Sequence, residues 1–254
     1  MTVAMAVGRY ELLADLGQGA QGRVVRVRDR ERGLIVALKA VPPAARPTLV
    51  REFARLASLD HPAVPRAYDL GTLDADLGPI AAGTPYFTAE EIRGAALAAC
   101  APLDPIGLWV VAVDVAAALT ALHGVGLVHC DVSPGNILLV GEGAARRAVL
   151  LDLGLAGGAG LDGAVRGTPA YLAPEALSGR IHPAGDLYGL GACLVFAARG
   201  VAPVTGRGPA LWEAIARAPR PSLTDAEAPG LAGLVAALLA LDPAARPASA
   251  PAVF

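Results

Sequence analysis

Val128-His129-Cys130-Asp131-Val132-Ser133-Pro134-Gly135-Asn136-Ile137-Leu138-Leu139, followed by Val149-Leu150-Leu151-Asp152-Leu153-Gly154, is the stretch on which the reading of this chain turns. Its two short apolar runs, rich in Ile, Leu and Val, read as strands. Asp131 and Asn136 stand ahead of the first run, and Asp152 directly follows the second. Oxygen donors are thereby concentrated where a hard cation and a hydroxyl group could be held together. Three polar groups flanked by branched apolar residues are poorly explained as surface decoration.

Upstream, Gly17-Gln18-Gly19-Ala20-Gln21-Gly22-Arg23-Val24 sits between two strand-like runs. Its glycines therefore fall in a hairpin, where bare backbone can approach a phosphate closely. A dinucleotide-binding loop would open a helix instead. A hairpin without a ligand is the plain alternative. Val36-Ala37-Leu38-Lys39 ends the next apolar run with a lysine that needs a partner if it points inward. Glu52, expected on the polar flank of a helix striped by Leu49, Phe53, Leu56 and Leu59, is the partner on offer. A solvated lysine and an unremarkable helical glutamate are the alternatives.

The surrounding pattern is strand-rich first and helix-rich later. Val25 and Val27 alternate with Arg26 and Arg28, and Leu34–Leu38 follows a turn at Glu31-Arg32-Gly33. The arginine face reads as solvated. Strand signals return at Ala63–Leu70 and Pro85–Glu90, and long buried helices are predicted over Pro105–His123 and Ala184–Arg199, with a shorter one over Leu231–Leu241. The change of character falls near Ile92 to Gly94. An α+β fold follows, with a small antiparallel sheet carrying one helix ahead of a mainly helical part.

Together these segments make the chain resemble the catalytic domain of eukaryotic-type, or Hanks-type, bacterial serine/threonine protein kinases. That family's catalytic loop reads H-R-D-x-K-P-x-N and its metal motif D-F-G. The likeness continues in order through Gly167-Thr168-Pro169-Ala170-Tyr171-Leu172-Ala173-Pro174-Glu175, Asp186-Leu187-Tyr188-Gly189-Leu190-Gly191 and Leu241-Asp242-Pro243-Ala244-Ala245-Arg246-Pro247. It implies a bilobal kinase domain over residues 1–254, with an N-lobe at 9–92 and a C-lobe at 95–254. It also implies transfer of the γ-phosphate of ATP to serine or threonine hydroxyls of proteins, with Mg²⁺ as the metal and Mn²⁺ as a substitute.

By the same resemblance Lys39, paired with Glu52, contacts the phosphates. Asp131 orients or deprotonates the acceptor, and Asn136 with Asp152 holds the metal. Leu16, Gly17, Gly19, Gly22, Val24, Ala37, Glu90, Ile92 and Leu138 surround the nucleotide, while Ser133 and Thr168 position the substrate. Glu175 and Arg246 look like the family's buried ion pair, and Asp186 like the anchor of the catalytic-loop backbone. Two departures matter. Cys130 replaces the arginine that ordinarily receives an activation-loop phosphate, and no Ser, Thr or Tyr occurs between Leu155 and Gly167. Activity independent of loop phosphorylation, or controlled by partners, is therefore expected. Ser133 replaces a lysine, which motivates a rival reading as a pseudokinase scaffold that binds nucleotide or a partner. A small-molecule phosphotransferase of related fold is disfavoured by the peptide-positioning likeness of Gly167 to Glu175.

Composition narrows the field further. The formal net charge of −2 offers no footprint for nucleic acid. Hydrophobic residues reach 54% but aromatics only 4%, so the excess is largely alanine, as in high-GC bacterial genomes. The longest apolar stretches, Leu187–Ala198 and Leu231–Leu241, fall well short of the roughly 20 residues of a membrane span. Met1 to Tyr10 lacks a signal-peptide pattern, and the unpaired spacing of Cys100, Cys130 and Cys193 suits a reducing cytoplasm. His123 and His129 match no metal-ligand spacing, and His129 and Cys130 read as packed loop residues. The chain stops soon after Arg246, so a domain cut from a longer protein is expected.

Overall fold

Alternation of apolar and polar residues builds the first sheet. The computed structural model describes residues 8–19, 22–161, 163–217 and 219–253. These divide into two compact units, one running to Asp60 and resuming over Pro65–Ile92, the other made of His61–Val64 and the chain from Arg93 onward. Ala20 and Gln21 of the glycine-rich hairpin lie outside the described residues, as do the first seven residues, on which the signal-peptide reading rests.

In the first unit, β1 (Tyr10–Gly19), β2 (Gly22–Asp29), β3 (Leu34–Ala40), β4 (Ala67–Thr72) and β5 (Pro85–Glu90) form an antiparallel sheet in the order β1-β2-β3-β5-β4. Val25, Val27, Val36, Leu38 and Ala40 point into one core with Tyr10, Leu73 and Tyr86. The period of two sends Val24, Ala37 and Lys39 to the opposite face, with Val24 directly across from Lys39. The arginine stretch is partly ion-paired, since Arg26 meets Glu91 at 2.8 Å while Arg28 and Arg30 lie near Glu11. One helix, α1 (Arg46–Ala57), completes the unit. The strand expected from Ala63 starts instead at Ala67. Pro62 and Pro65 lack ladder donors, and the intervening residues form a turn closed by Val64 N donating to His61 O at 3.0 Å.

A charge network centred on one buried carboxylate closes one end of this sheet. Arg9 donates to Asp29 at 2.9 and 2.5 Å and to Asp69 at 2.6 Å, and Arg32 donates twice to Asp69 at 2.9 Å. The Asp29 side chain is wholly buried and also accepts from the backbone of Glu31 and Arg32, which shapes the β2–β3 turn. Burial alone would push its carboxyl up, but the bonds from Arg9, Arg32 and Glu31 outweigh burial and hold it below the ordinary carboxylate range.

The second unit contains β6 (Ala95–Ala96), α2 (Leu97–Cys100), α3 (Pro105–Gly124), β7 (Leu127–Val128), β8 (Ile137–Val140), β9 (Arg147–Leu150), β10 (Gly157–Gly158), β11 (Gly160–Leu161), β12 (Arg180–Ile181), α4 (Pro183–Arg199), α5 (Pro209–Arg217) and α6 (Ala232–Leu238). Asp104 caps α3 by accepting from Gly107 N at 2.7 Å, with Pro105 at its first position. His182 caps α4, which ends at Gly200 in the left-handed region. Helix α4 packs against both α3 and α6. The expected helix over Leu231–Leu241 shortens to Ala232–Leu238 because Asp242-Pro243 begins a new turn capped by the Asp242 side chain.

The reading that the longest apolar stretches fall short of a span needs correction. Helix α3, at 20 residues, is long and apolar enough to cross a membrane by length and composition. Its Leu108, Val111, Val115, Leu119 and Leu122 are nevertheless buried among the other helices, and Asp114 accepts from Ala148 N of β9 at 2.7 Å. These are the contacts of a core helix.

Asp29 and Asp69 are both held low, the latter chiefly by its bond from Arg32. A carboxyl whose folded pKa is depressed contributes stability above its unfolded pKa and loses it as pH falls through the folded value. Thermal melts taken downward from about pH 4 should show a loss that Asp29→Asn, lacking the charge, shows less of. At neutral pH, Asp29→Ala should cost roughly 3 kcal/mol, because Arg9 loses its buried partner.

Candidate active site

In the first unit, Lys39 Nζ donates to Glu52 Oε1 at 2.6 Å, with side-chain exposures of 11% and 7%. Glu52 does not sit on the polar flank of α1. It shares the buried stripe with Leu49 and Leu56 at positions i, i+3 and i+7, while Phe53 is only half-buried. A carboxylate tolerates that place because the ammonium satisfies it. Of 21 lysine and arginine residues in the chain, Lys39 is the only lysine. Counting lysines was a signal available in the sequence.

The hairpin glycines differ in purpose. A Cβ on Gly22 would strike Ala40 O, so packing alone demands glycine there. Gly17, at φ +153°, has no described atom within 4 Å of a Cβ position, and its N–H donates to Asp15 Oδ1 at 3.1 Å. Gly19 pairs with Gly22 across the hairpin. Leu16 is half exposed. Glu90 ends β5, its N–H donating to Arg66 O at 2.8 Å, and Ile92 lies in the irregular stretch beyond.

In the second unit the loop between β7 and β8 carries the remaining candidates. Asp131 Oδ1 accepts from Thr168 N at 2.8 Å and Thr168 Oγ1 at 2.7 Å, and Oδ2 accepts from Asn136 Nδ2 at 3.0 Å. The second Asn136 amide proton goes to Asp131 O at 2.9 Å, which turns the amide oxygen the other way. Asn136 O accepts from Leu151 N, next to the Ile137–Leu150 pair that ends the β8–β9 ladder, and Asp152 follows Leu151 directly. Asp152 has φ +63° and accepts from Gly154 N at 2.9 Å. Leu138 lies on β8, half-buried, and Ser133 is buried, its carbonyl accepting from Asn136 N.

A second tier of contacts holds this loop. Asp186, on the first turn of α4 and 2% exposed, accepts from His129 N at 2.7 Å, Cys130 N at 2.9 Å and His123 Nε2 at 2.9 Å. Those bonds retain Cys130 at φ +69°, an unusual conformation for a residue with a side chain. His129 is fully buried between Asp131 N, which donates to Nδ1, and Leu151 O, which faces Nε2. It is a packed histidine. The part of His123 escaped sequence reasoning, because 63 residues separate it from Asp186. Arg246, its side chain wholly buried, meets Glu175 at 2.5 and 2.9 Å and also donates to Ala240 O and Ala184 O.

Among the described residues no group of three or more His, Cys, Asp or Glu is gathered for a metal. The donors that are present, the Asp152 carboxylate and the Asn136 amide oxygen, are hard oxygens, few in number. That set suits a cation that keeps water and phosphate oxygens as its remaining ligands. Cys193 is fully buried, and burial pushes its thiol well up, so it stays protonated.

Comparison with known proteins identifies the family to which this fold belongs. Residues 10–253 match the protein kinase domain family, and the chain belongs to that family. It is 37% identical over 218 residues to the DNA damage-responsive serine/threonine-protein kinase RqkA of Deinococcus radiodurans, covering 80% of this chain and 31% of that protein. It is 35% identical over 216 residues to the serine/threonine-protein kinase AfsK of Streptomyces griseus, covering 80% and 26%. With the serine/threonine-protein kinase PknB of Mycobacterium tuberculosis the figures are 32% over 219 residues, covering 79% and 34%. The chain thus spans about a third or less of the length of these relatives.

Breaking the Glu175–Arg246 pair from one side should strand a buried guanidinium. Glu175→Ala is expected to lower unfolding free energy by roughly 3–5 kcal/mol in chemical denaturation. Glu175→Gln, which keeps an acceptor, should cost less.

Proposed function

We propose that this chain is the catalytic domain of a serine/threonine protein kinase that transfers the γ-phosphate of ATP to hydroxyls of protein substrates. The observation that carries this reading is the hydrogen-bonding of Asp131. A carboxylate offers roughly four lone-pair sites. Thr168 N, Thr168 Oγ1 and Asn136 Nδ2 fill three of them, which leaves an oriented position for one incoming hydroxyl. Asp131 is then the group that orients the acceptor and takes its proton.

Lys39, steadied by Glu52, neutralises phosphate charge. In the first unit Leu16, Val24 and Ala37 are assigned to the adenine, with backbone groups near Glu90 and Ile92 as polar edges, and in the second unit Leu138 carries the same assignment. Gly17, Gly19 and Gly22 bring backbone to the phosphates. Asn136 and Asp152 would hold a divalent cation, Mg²⁺ by the hardness of the donors with Mn²⁺ as a substitute, and this ion would supply charge neutralisation on the phosphate oxygens. The protein's share is positioning, and most of the rate gain in such chemistry comes from positioning and electrostatics. Thr168 and Ser133 are assigned to substrate placement. Cys100, Cys130 and Cys193 form no disulfide among the described residues, which supports a cytoplasmic setting.

The scaffold alternative rests on Ser133, which removes a cation near the transferred group, and on Cys130. A radiolabelled-ATP assay on a generic serine/threonine protein substrate separates the two. Asp131→Asn should lower turnover by about 10²–10⁴ while nucleotide affinity changes little. Equal background transfer by wild type and variant would favour the scaffold.

A further inference from the structure

Arg26 stands on the face of β2 that carries Val24, the face opposite the valine core of the first unit. Its Nε is shielded from water and lies 2.8 Å from Oε1 of Glu91, and the two side chains are 29% and 10% exposed. We propose that Arg26 and Glu91 are positioning residues for the nucleotide: their ion pair ties the chain just past β5 to β2 and so holds the backbone groups near Glu90 and Ile92 in place for the adenine edge. The proposal rests on the kinase reading above and adds two residues to its nucleotide site.

The ladder shows why a tie is needed. Val36–Glu90 is the last pair between β3 and β5, so Glu91 and Ile92 lie past the final rung. Glu90 is held on its β4 side, where its N–H donates to Arg66 O at 2.8 Å and its carboxylate accepts from Arg66 N at 3.4 Å. On the other side stands β3, with β2 one strand further, so a contact from Glu91 to β2 has to bridge about 10 Å of sheet. Two long side chains meeting end to end cover that distance. Ala37 pairs with Arg26 and Ala89 pairs with Ala37, and these short side chains leave the guanidinium room to cross.

Burial separates this pair from its neighbour. Arg28, the next arginine on the same face, is half exposed and stands 3.7 Å from an exposed Glu11, where solvent screens the attraction. Glu91 is nearly buried, and its carboxylate without the guanidinium would turn toward water. Because Glu91 lies between Glu90 and Ile92 in the chain, that movement carries with it the two backbone positions assigned to the base. Lys39 pairs with Val24, two residues along β2 from Arg26 and nearer the glycine hairpin, so the phosphate end keeps its arrangement. The pair therefore acts on the base and not on the transferred group.

The test is calorimetric binding of adenosine, which offers the base without phosphates, and of a non-hydrolysable ATP analogue, read beside steady-state phosphotransfer. Arg26→Ala should weaken both ligands by about tenfold, the scale of one well-held hydrogen-bonding edge. KM for ATP should rise by a similar factor while kcat stays within about twofold, the signature of lost ground-state binding. Glu91→Gln should reproduce the loss, and Arg26→Lys, which keeps the charge, should recover part of the affinity. If Arg26→Ala fails to fold, Glu91→Gln and Arg26→Lys carry the same readout. Unchanged adenosine affinity in the folded variants, a loss confined to the phosphate-bearing analogue, or a fall in kcat at constant KM overturns the assignment. Weakened binding in the variants beside a wild type that binds both ligands but transfers no phosphate upholds it and sinks the kinase reading instead.

Discussion

The buried carboxylate of Asp186 is the constraint on which the second unit depends. It is almost fully shielded from water, yet it accepts from two consecutive backbone N–H groups and from His123. An isolated buried charge would be prohibitive, and three donors converging on one carboxylate make it tolerable. In return, the chain at Cys130 is held in a left-handed conformation that it would otherwise leave. Asp131 is presented from that bend, and Thr168 and Asn136 then complete its hydrogen bonds. The Asp131 carboxylate is therefore placed by another carboxylate lying 55 residues further along the sequence.

The same logic recurs at Lys39 and Glu52, where each charge is affordable only because of the other. A period of two along β3 takes the lysine off the valine and leucine core, and a helical period takes the glutamate onto the buried stripe of α1. Arg246 with Glu175 is a third buried pair, reinforced by backbone carbonyls. Buried pairs of this kind add little net stability compared with apolar packing, but they penalise every arrangement that separates the partners. They specify geometry in a chain whose core is built chiefly from leucine, alanine and valine, side chains with no polar directionality of their own.

Much of this was legible in the residues, for identifiable reasons. Strands β2, β3 and β5 and helices α1, α3 and α4 announced themselves because long periodic runs carry their own signal. The start of β4 and the end of α6 were misjudged where prolines redirect the backbone. Helix α5, lying between short glycine- and proline-rich stretches, was not anticipated, and α3 proved more apolar than the stretches singled out for a membrane test. The flank assigned to Glu52 was wrong because a charged side chain was assumed to seek solvent, when a partner on another element allowed burial.

The sequence by itself determined the class of fold, the family and the residue types available for chemistry, since each of those rests on local pattern and on motif order. Only the tertiary structure decided that His123 serves Asp186, that Thr168 occupies two of Asp131's acceptor positions, and that Gly179 is glycine because Gly163 crosses over it. These relations join residues 16 to 63 positions apart. Nothing in the periodicity of either partner encodes the distance at which their atoms meet, because that distance is set by the packing of the elements between them.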